Sequence, residues 1–359
     1  MNKHKRPARG TRRGAATQRP TIREVSRLAG VSRMTVSRVV RNPEQVSPET
    51  RARVTKAIAD LGYVPDLAAG SLSSRRTGFV ALLLPTLTNA NFAAAAQGLT
   101  EALRPAGYHL LIAYTEYSQA EEERQLRNLL ARRPEALVIT GVPQRRSASR
   151  LLLAADVPII EIADLPRQPL QHAVGFSNYQ AGRTAARHLL DRGFRRIGAV
   201  AGSNEGDAID HRGEERMRGF EDELRLSGVA TDLVLRHGQA PVSYDHGAGS
   251  IGLLLAREPR IEAVFAVSDL SAVGVVMECQ RRGVKVPEQL SVIGFGDFEI
   301  GRVINPPLTT VHVDFAALGR RTGQLVRGLL AEDAQAGDAA QVIDVGLHVV
   351  ERASVRQKA

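Results

Sequence analysis

The sequence predicts a small all-α helix-turn-helix head followed by a two-lobed α/β body built on parallel sheets. Three observations carry that expectation. Basic charge is concentrated at one end: residues 1–76 hold 17 Lys or Arg against 5 Asp or Glu, the remainder 31 against 33, within a net charge of +10. Three short capped helical patterns follow one another between Thr21 and Pro65. From Gly78 onward, short apolar runs alternate with amphipathic stretches, the pattern of βαβ units and parallel sheet.

Residues 1–19 are rich in Arg, Lys, Gly and Thr without periodicity and read as a disordered basic arm. The head is expected over 20–64. Thr21-Ile22-Arg23-Glu24 is a capping-box pattern, Ile22, Val25, Leu28 and Ala29 line one helical face, and Gly30 stops the helix. Ser32 caps a second helix over 33–41 with Val36, Val39 and Val40 inward. Ser47-Pro48-Glu49-Thr50 opens a third, with Val54, Ile58 and Leu61 as its stripe and Gly62 as its end. Residues 65–77 form a hinge or linker.

In the body, expected strands at 79–84, 110–113, 136–140 and 159–162 alternate with helices at 92–103, 120–132 and 147–155. The alternation restarts with strand 173–176 and helix 179–191, then runs through strands 196–201, 233–236, 263–267 and 291–294 with helices 212–227, 243–256 and 270–283 between them. Each half suits one open sheet. The expected lobes are therefore 78–176 with 307–336, and 177–304 with 341–355.

Composition excludes several classes. No apolar run reaches the roughly 18 to 20 residues of a membrane helix, and the basic N-terminal segment lacks the apolar stretch of a secretory signal. The one cysteine, Cys279, rules out an intramolecular disulfide and a multi-cysteine zinc site. A cytoplasmic protein without cofactor, metal or membrane partner is expected. A folded basic module with a buried Val, Leu and Ile core favours a duplex groove over a membrane surface, which would need an exposed apolar face.

The second helix is the expected groove reader. Arg33, Met34, Thr35, Ser37 and Arg38 lie on its outer faces, followed by Arg41. Arginine forms two-pronged bonds with guanine, hydroxyl side chains reach base edges or phosphates, and Met34 suits a thymine methyl. The segments Ala29-Gly30-Val31-Ser32, Thr35-Val36-Ser37-Arg38 and Gly62-Tyr63-Val64-Pro65 make this stretch resemble the DNA-binding head of the lactose-repressor (LacI) family. The likeness continues through Leu84-Pro85-Thr86-Leu87-Thr88-Asn89, Ser268-Asp269-Leu270-Ser271-Ala272-Val273-Gly274 and Pro306-Pro307-Leu308-Thr309-Thr310-Val311. Met34-Thr35-Val36-Ser37-Arg38 and Glu278-Cys279-Gln280-Arg281 look most like the gluconate-utilisation repressor branch.

The resemblance implies a homodimeric repressor that binds double-stranded operator DNA, with a body of the periplasmic-binding-protein fold, nucleoid-associated when bound. It implies DNA contacts from Thr21 and from the second helix, and a hinge helix over 66–72 that inserts Leu72 into the minor groove. It also places an effector-binding arginine at Arg216. Ligand chemistry is expected at strand ends in the cleft between lobes. The candidates are Thr88, Asn89, Phe92, Glu161, Asp164, Asn178, Arg216, Ser268, Asp269 and Asp297. Arg216 suits a carboxylate and Glu161 and Asp164 suit hydroxyls, so the expected effector is a small sugar acid such as gluconate or a derivative. Gly296 stands where many sugar-binding relatives carry an Asp, which disfavours a neutral sugar.

Gly247-Ala248-Gly249-Ser250-Ile251-Gly252 matches the dinucleotide fingerprint in letters, but no strand precedes it, so it reads as a glycine-rich helix start. No nucleophile elbow or His-Glu-x-x-His pair is present, and Cys279 reads as a packed small side chain. An enzyme is not expected. A solute-binding protein, or a regulator using another effector or a corepressor, is the competing class.

Overall fold

The structure, a computed structural model, describes residues 20–65, 77–141, 145–331 and 339–358. The basic arm, most of the expected hinge and Leu72 lie outside the described residues. The chain divides into two units, 1–76 and 77–359.

In the head, α1 (Ile22–Ala29), α2 (Arg33–Arg41) and α3 (Pro48–Leu61) pack around Val25, Ala29, Val36, Val39, Val54 and Ala57. The Glu24 carboxylate reaches back to the Thr21 amide at 2.7 Å, and Ser32 Oγ accepts from the Thr35 amide at 3.1 Å. Gly30 and Gly62 end α1 and α3 with φ of 66° and 61°, which a side chain would strain. Leu28, expected inside, is instead 54% exposed. It lies three residues beyond Val25, at the margin of a stripe too narrow in so small a core to cover every apolar position.

The body carries two six-stranded sheets. In the first, β1 (Phe79–Leu84), β2 (His109–Tyr114), β3 (Ala136–Ile139), β4 (Ile159–Ile162), β5 (His172–Gly175) and β11 (Val342–Asp344) run in the order β11-β5-β4-β3-β1-β2. In the second, β6 (Ile197–Ser203), β7 (Val234–Gln239), β8 (Ala263–Ala266), β9 (Ser291–Phe295), β10 (Thr309–His312) and β12 (His348–Val350) run in the order β12-β10-β9-β8-β6-β7. Every pairing is parallel except β10 with β12. The expected lobe boundaries therefore shift: β10 stays with the second sheet, and β11 returns to the first. Isolated short strands carry no mark of which parallel sheet they extend; register against a neighbour decides it, here Thr309 beside Ile293 and Val342 beside Ala173. The chain thus passes between lobes three times, after β5, after β10 and between β11 and β12.

Helices α4 (Ala90–Leu103), α5 (Gln119–Leu130), α6 (Arg146–Leu153) and α12 (Phe315–Leu329) serve the first lobe. The second has α7 (Asn178–Asp191), α8 (His211–Leu226), α9 (Tyr244–Arg257), α10 (Asp269–Arg281) and the short α11 (Glu299–Val303). Three helix pairs approach with backbone nearly touching backbone. A Cβ on Gly98 or Gly319 would overlap a carbonyl oxygen across the α4–α12 contact. Gly182 and Gly219 do the same for α7–α8, and Gly247 and Gly274 for α9–α10. The glycine run at 247–252 is thus partly a packing device inside α9, not a phosphate-binding turn after a strand.

These contacts separate two glycines of one helix. Gly247→Ala drives a methyl into the Ser271 carbonyl and is expected to cost about 1–3 kcal/mol. Gly249→Ala meets nothing within 4 Å and is expected to add about 0.5–1 kcal/mol of helix stability. Urea unfolding of the two variants beside the parent chain measures both signs.

Candidate nucleic-acid interface and ligand cleft

On α2, Val36 and Val39 face the core, so the helical period turns Arg33, Met34, Ser37, Arg38 and Arg41 the other way. Arg33, Arg38 and Arg41 are exposed, Met34 is 71% exposed, and Thr35 and Ser37 are half-buried. The Thr35 hydroxyl is engaged with Ser32 Oγ at 2.9 Å, and Thr21 is tied to Glu24, so these two serve the caps before any other partner. Three arginines flanking an exposed thioether make a cationic ridge one helix wide, the dimension a major groove admits.

The body's inner cleft, open to solvent, lies between the lobes at the carboxyl ends of the strands. Thr86, Thr88, Asn89 and Phe92 come from the first lobe, and Arg212, Arg216 and Ser268 from the second. Its floor is aromatic: Phe176 lies 5.7 Å from Phe295 and 5.6 Å from Phe315, which meets Phe92 edge-on at 6.2 Å. Arg216 is buried against the Phe295 face at 4.3 Å. Its Nε donates to Val267 O at 3.0 Å and its Nη1 to Asn178 Oδ1 at 2.5 Å, while Asp210 stands 3.9 Å from Nη2. Burial lowers the Arg216 pKa, and Asp210 opposes that shift. Arg212, one turn earlier on α8, donates to Thr140 O at 2.9 Å across the lobes. Two guanidinium groups against one carboxylate leave the cleft cationic, suited to an anion with apolar and hydroxyl faces.

Thr88, Asn89, Phe92, Arg216 and Ser268 line the cleft, and Asn178 stands behind it as the support for Arg216. Asp164 lines an adjoining chamber. Three expected residues do not reach either space. Glu161 is fully buried within the first sheet, where one oxygen accepts from the Leu170 amide at 2.5 Å, the other has no partner among the described residues, and burial raises its pKa. Strand alternation explains the misplacement: Ile160 and Ile162 face one core, so Glu161 points to the opposite face. Asp269 accepts from the Phe298 amide at 2.8 Å and the Thr310 hydroxyl at 2.7 Å, and burial pushes its pKa up to about 7. It secures the loop carrying Phe298 rather than facing the cleft. Asp297 is consumed by Arg352, Arg302 and His312. At Gly296, with φ of 125°, a Cβ would press on the Phe298 ring and the Asn91 side chain, and Asn91 Nδ2 donates to Gly296 O at 3.1 Å across the lobes. A larger residue there would force this junction apart.

Sequence reasoning missed Tyr117, Asp210 and Arg212. Arg212 could have been found, since it precedes Arg216 by four residues and shares its helical face. Tyr117 and Asp210 belong to loops that meet only in three dimensions. There, on the sheet edges away from the three crossings, the lobes are clasped. Ile209 N donates to Tyr117 O at 3.1 Å, and Gln119 N to Asp207 O at 3.2 Å. The Asp207 carboxylate accepts from the Ser118 hydroxyl, from the Ala120 amide at 3.3 Å and from Arg145 at 2.8 Å. The hydrogen bond from Ser118, first, and the Arg145 charge hold its pKa below the usual value. Glu116 and Tyr117 adopt positive φ of 52° and 63°, a strained turn on the clasp itself.

A cationic helix-turn-helix head and a two-lobed body with a cleft between its lobes together define a DNA-binding regulator. Comparison with known sequences agrees. Residues 21–66 match the profile of the bacterial regulatory proteins of the lacI family, and residues 186–355 that of the periplasmic binding protein-like domain. The transcriptional regulator GntR of Pseudomonas aeruginosa is 36% identical over 338 residues, covering 94% of this chain and 96% of that protein. GntR of Escherichia coli K12 is 32% identical over 82% of this chain and 87% of its own length. A solved LacI-family regulator from Silicibacter pomeroyi superposes with a TM-score of 0.85 at 31% identity, covering 94% of this chain and all of its own. The chain belongs to the LacI family of transcriptional regulators. Its relatives are regulators rather than enzymes, and no helix among the described residues is long and apolar enough to cross a membrane.

Asp207→Ala removes the acceptor on which Ser118, Ala120 and Arg145 converge. Because the Arg145 pair is exposed, global stability is expected to change by less than about 1 kcal/mol. Hydrogen exchange at segments 115–121 and 204–211 is expected to accelerate, with the strands of both sheets unaffected. Unchanged exchange in those two segments would dismiss the clasp.

Proposed function

We propose that this chain is a repressor whose operator affinity is set by a sugar acid, gluconate or a derivative, bound between its lobes. The observation that carries this reading is the pairing of Arg212 and Arg216 with a single carboxylate, Asp210, over an aromatic floor. The ligand's carboxylate lies against the two guanidinium groups and its hydroxyls against Thr88, Asn89 and Ser268, with Phe92 and Phe176 beneath the carbon chain. Thr21, Arg33, Met34, Thr35, Ser37, Arg38 and Arg41 contact the operator, and Leu72 wedges its centre. The chain works as a homodimer in the cytoplasm, two heads reading a near-palindromic site. The resemblance of Met34-Thr35-Val36-Ser37-Arg38 and Glu278-Cys279-Gln280-Arg281 to the gluconate-utilisation repressor branch supports the choice of a gluconate-like ligand.

Ligand and operator are linked: a ligand shifts DNA affinity only as far as it prefers one arrangement of the lobes over another. DNA affinity falls steeply with salt, because each phosphate contact releases counterions.

Two substitutions separate the modules. Arg38→Ala is expected to weaken operator binding about tenfold or more and leave ligand titrations unchanged. Arg212→Ala removes cleft charge without touching the Arg216–Asn178 contact, so it is expected to weaken sugar-acid binding about tenfold and spare DNA affinity in the absence of ligand. Fluorescence anisotropy with operator DNA and calorimetry with gluconate read the two effects. Equal damage to both activities by either variant contradicts the division.

A further inference from the structure

Tyr117 and Arg212 line two adjoining spaces: the inner cleft and an outer chamber that opens to solvent. Both lobes build the chamber, with Glu122, Thr140 and Asp164 from the first and His211, Glu214 and Glu215 from the second. Most of its acids are already satisfied. Glu214 pairs with Arg236 at 2.7 Å, Glu215 with Arg218 at 2.8 Å, and Asp164 accepts from Leu165 N at 3.0 Å and Asn178 Nδ2 at 3.2 Å.

Glu122 differs. It sits half-buried on α5, and among the described residues no hydrogen bond or ion pair reaches its carboxylate. Burial pushes its pKa up to about 7, and the Arg212 charge opposes that shift. With no protein donor committed to it, this carboxylate is available to a hydroxyl that enters the chamber. The same chamber is lined by groups that hydrogen-bond without adding charge: Thr115, Gln119 and Thr140. This is the lining of a hydroxyl site.

We propose that the outer chamber is the second half of the ligand site, taking the hydroxyl-bearing end of a polyhydroxy carboxylate whose acid group lies in the inner cleft. Glu122 is the acceptor for the far hydroxyls, and the chain of the ligand passes beside Tyr117 and Arg212. The inference rests on the sugar-acid reading of the inner cleft and adds a requirement of length: a short hydroxy acid reaches the inner cleft alone, a long one reaches Glu122 as well. Because the chamber is walled by both lobes next to the Ser118–Asp207 clasp, only the long ligand bridges them there.

The test is calorimetric titration of the full chain with three-carbon glycerate and six-carbon gluconate, for the parent protein and for Glu122→Ala and Glu122→Gln. Gluconate is expected to bind about tenfold or more tightly than glycerate. Glu122→Ala is expected to remove most of that margin while leaving glycerate unchanged, and Glu122→Gln to retain part of it through the amide oxygen. Thermal unfolding of each variant checks that the fold is intact. Equal affinities for the two acids, or equal losses for both on substitution, overturn the two-chamber site while leaving the inner cleft in place. Failure of either acid to bind, with Arg212→Ala giving the same null titration, overturns the sugar-acid reading and this inference with it.

Discussion

A guanidinium removed from water must have its donors answered, and the second lobe is arranged around doing so for Arg216. The Val267 carbonyl, the Asn178 amide and the Phe295 ring each come from a different element, so Arg216 fixes the ends of β8, α7 and β9 relative to α8. Gly182 makes this possible, because α7 can lie against the Arg216 backbone only where no side chain intervenes. With α8 so placed, Arg212 is carried across to the Thr140 carbonyl of the other lobe. The charge of the cleft is thus a property of how two helices pack.

Much of this was legible in the sequence. Alternating apolar runs and amphipathic stretches gave the order of strands and helices, since hydrophobic period is a local property. Capping residues such as Ser32 and Ser47 marked helix starts that the structure keeps. The rule that ligand sites lie at strand ends picked out Thr88, Asn89, Phe92 and Ser268, which the structure places along the cleft. It failed at Glu161, where the two-residue alternation pointed the other way, and at Asp269 and Asp297, whose carboxylates are used internally. A carboxylate after a strand looks the same whether it awaits a ligand or holds a loop. Only its partners tell the two apart.

Other features had no local signal. The aromatic floor draws Phe92, Phe176, Phe295 and Phe315 from four distant segments, joined by the crossings between lobes. Those crossings are also where the expected lobe boundaries shifted, since β10 and β11 are too short to declare their sheet. The reciprocal glycines sit between these extremes. Their positions are visible as letters, but Gly247 and Gly249 look alike until the neighbouring helix is seen.

The three crossings gather at one side of the body, while Asp207 and its partners lie at the other. Two layers joined along one margin turn about it as covers turn on a spine, if they turn as units. A rotation too slight to disturb β5, β10 or β12 then becomes its widest travel at the Ser118–Asp207 contact. A handful of weak bonds at that rim thereby exerts more torque on the swing than stronger ones near the axis.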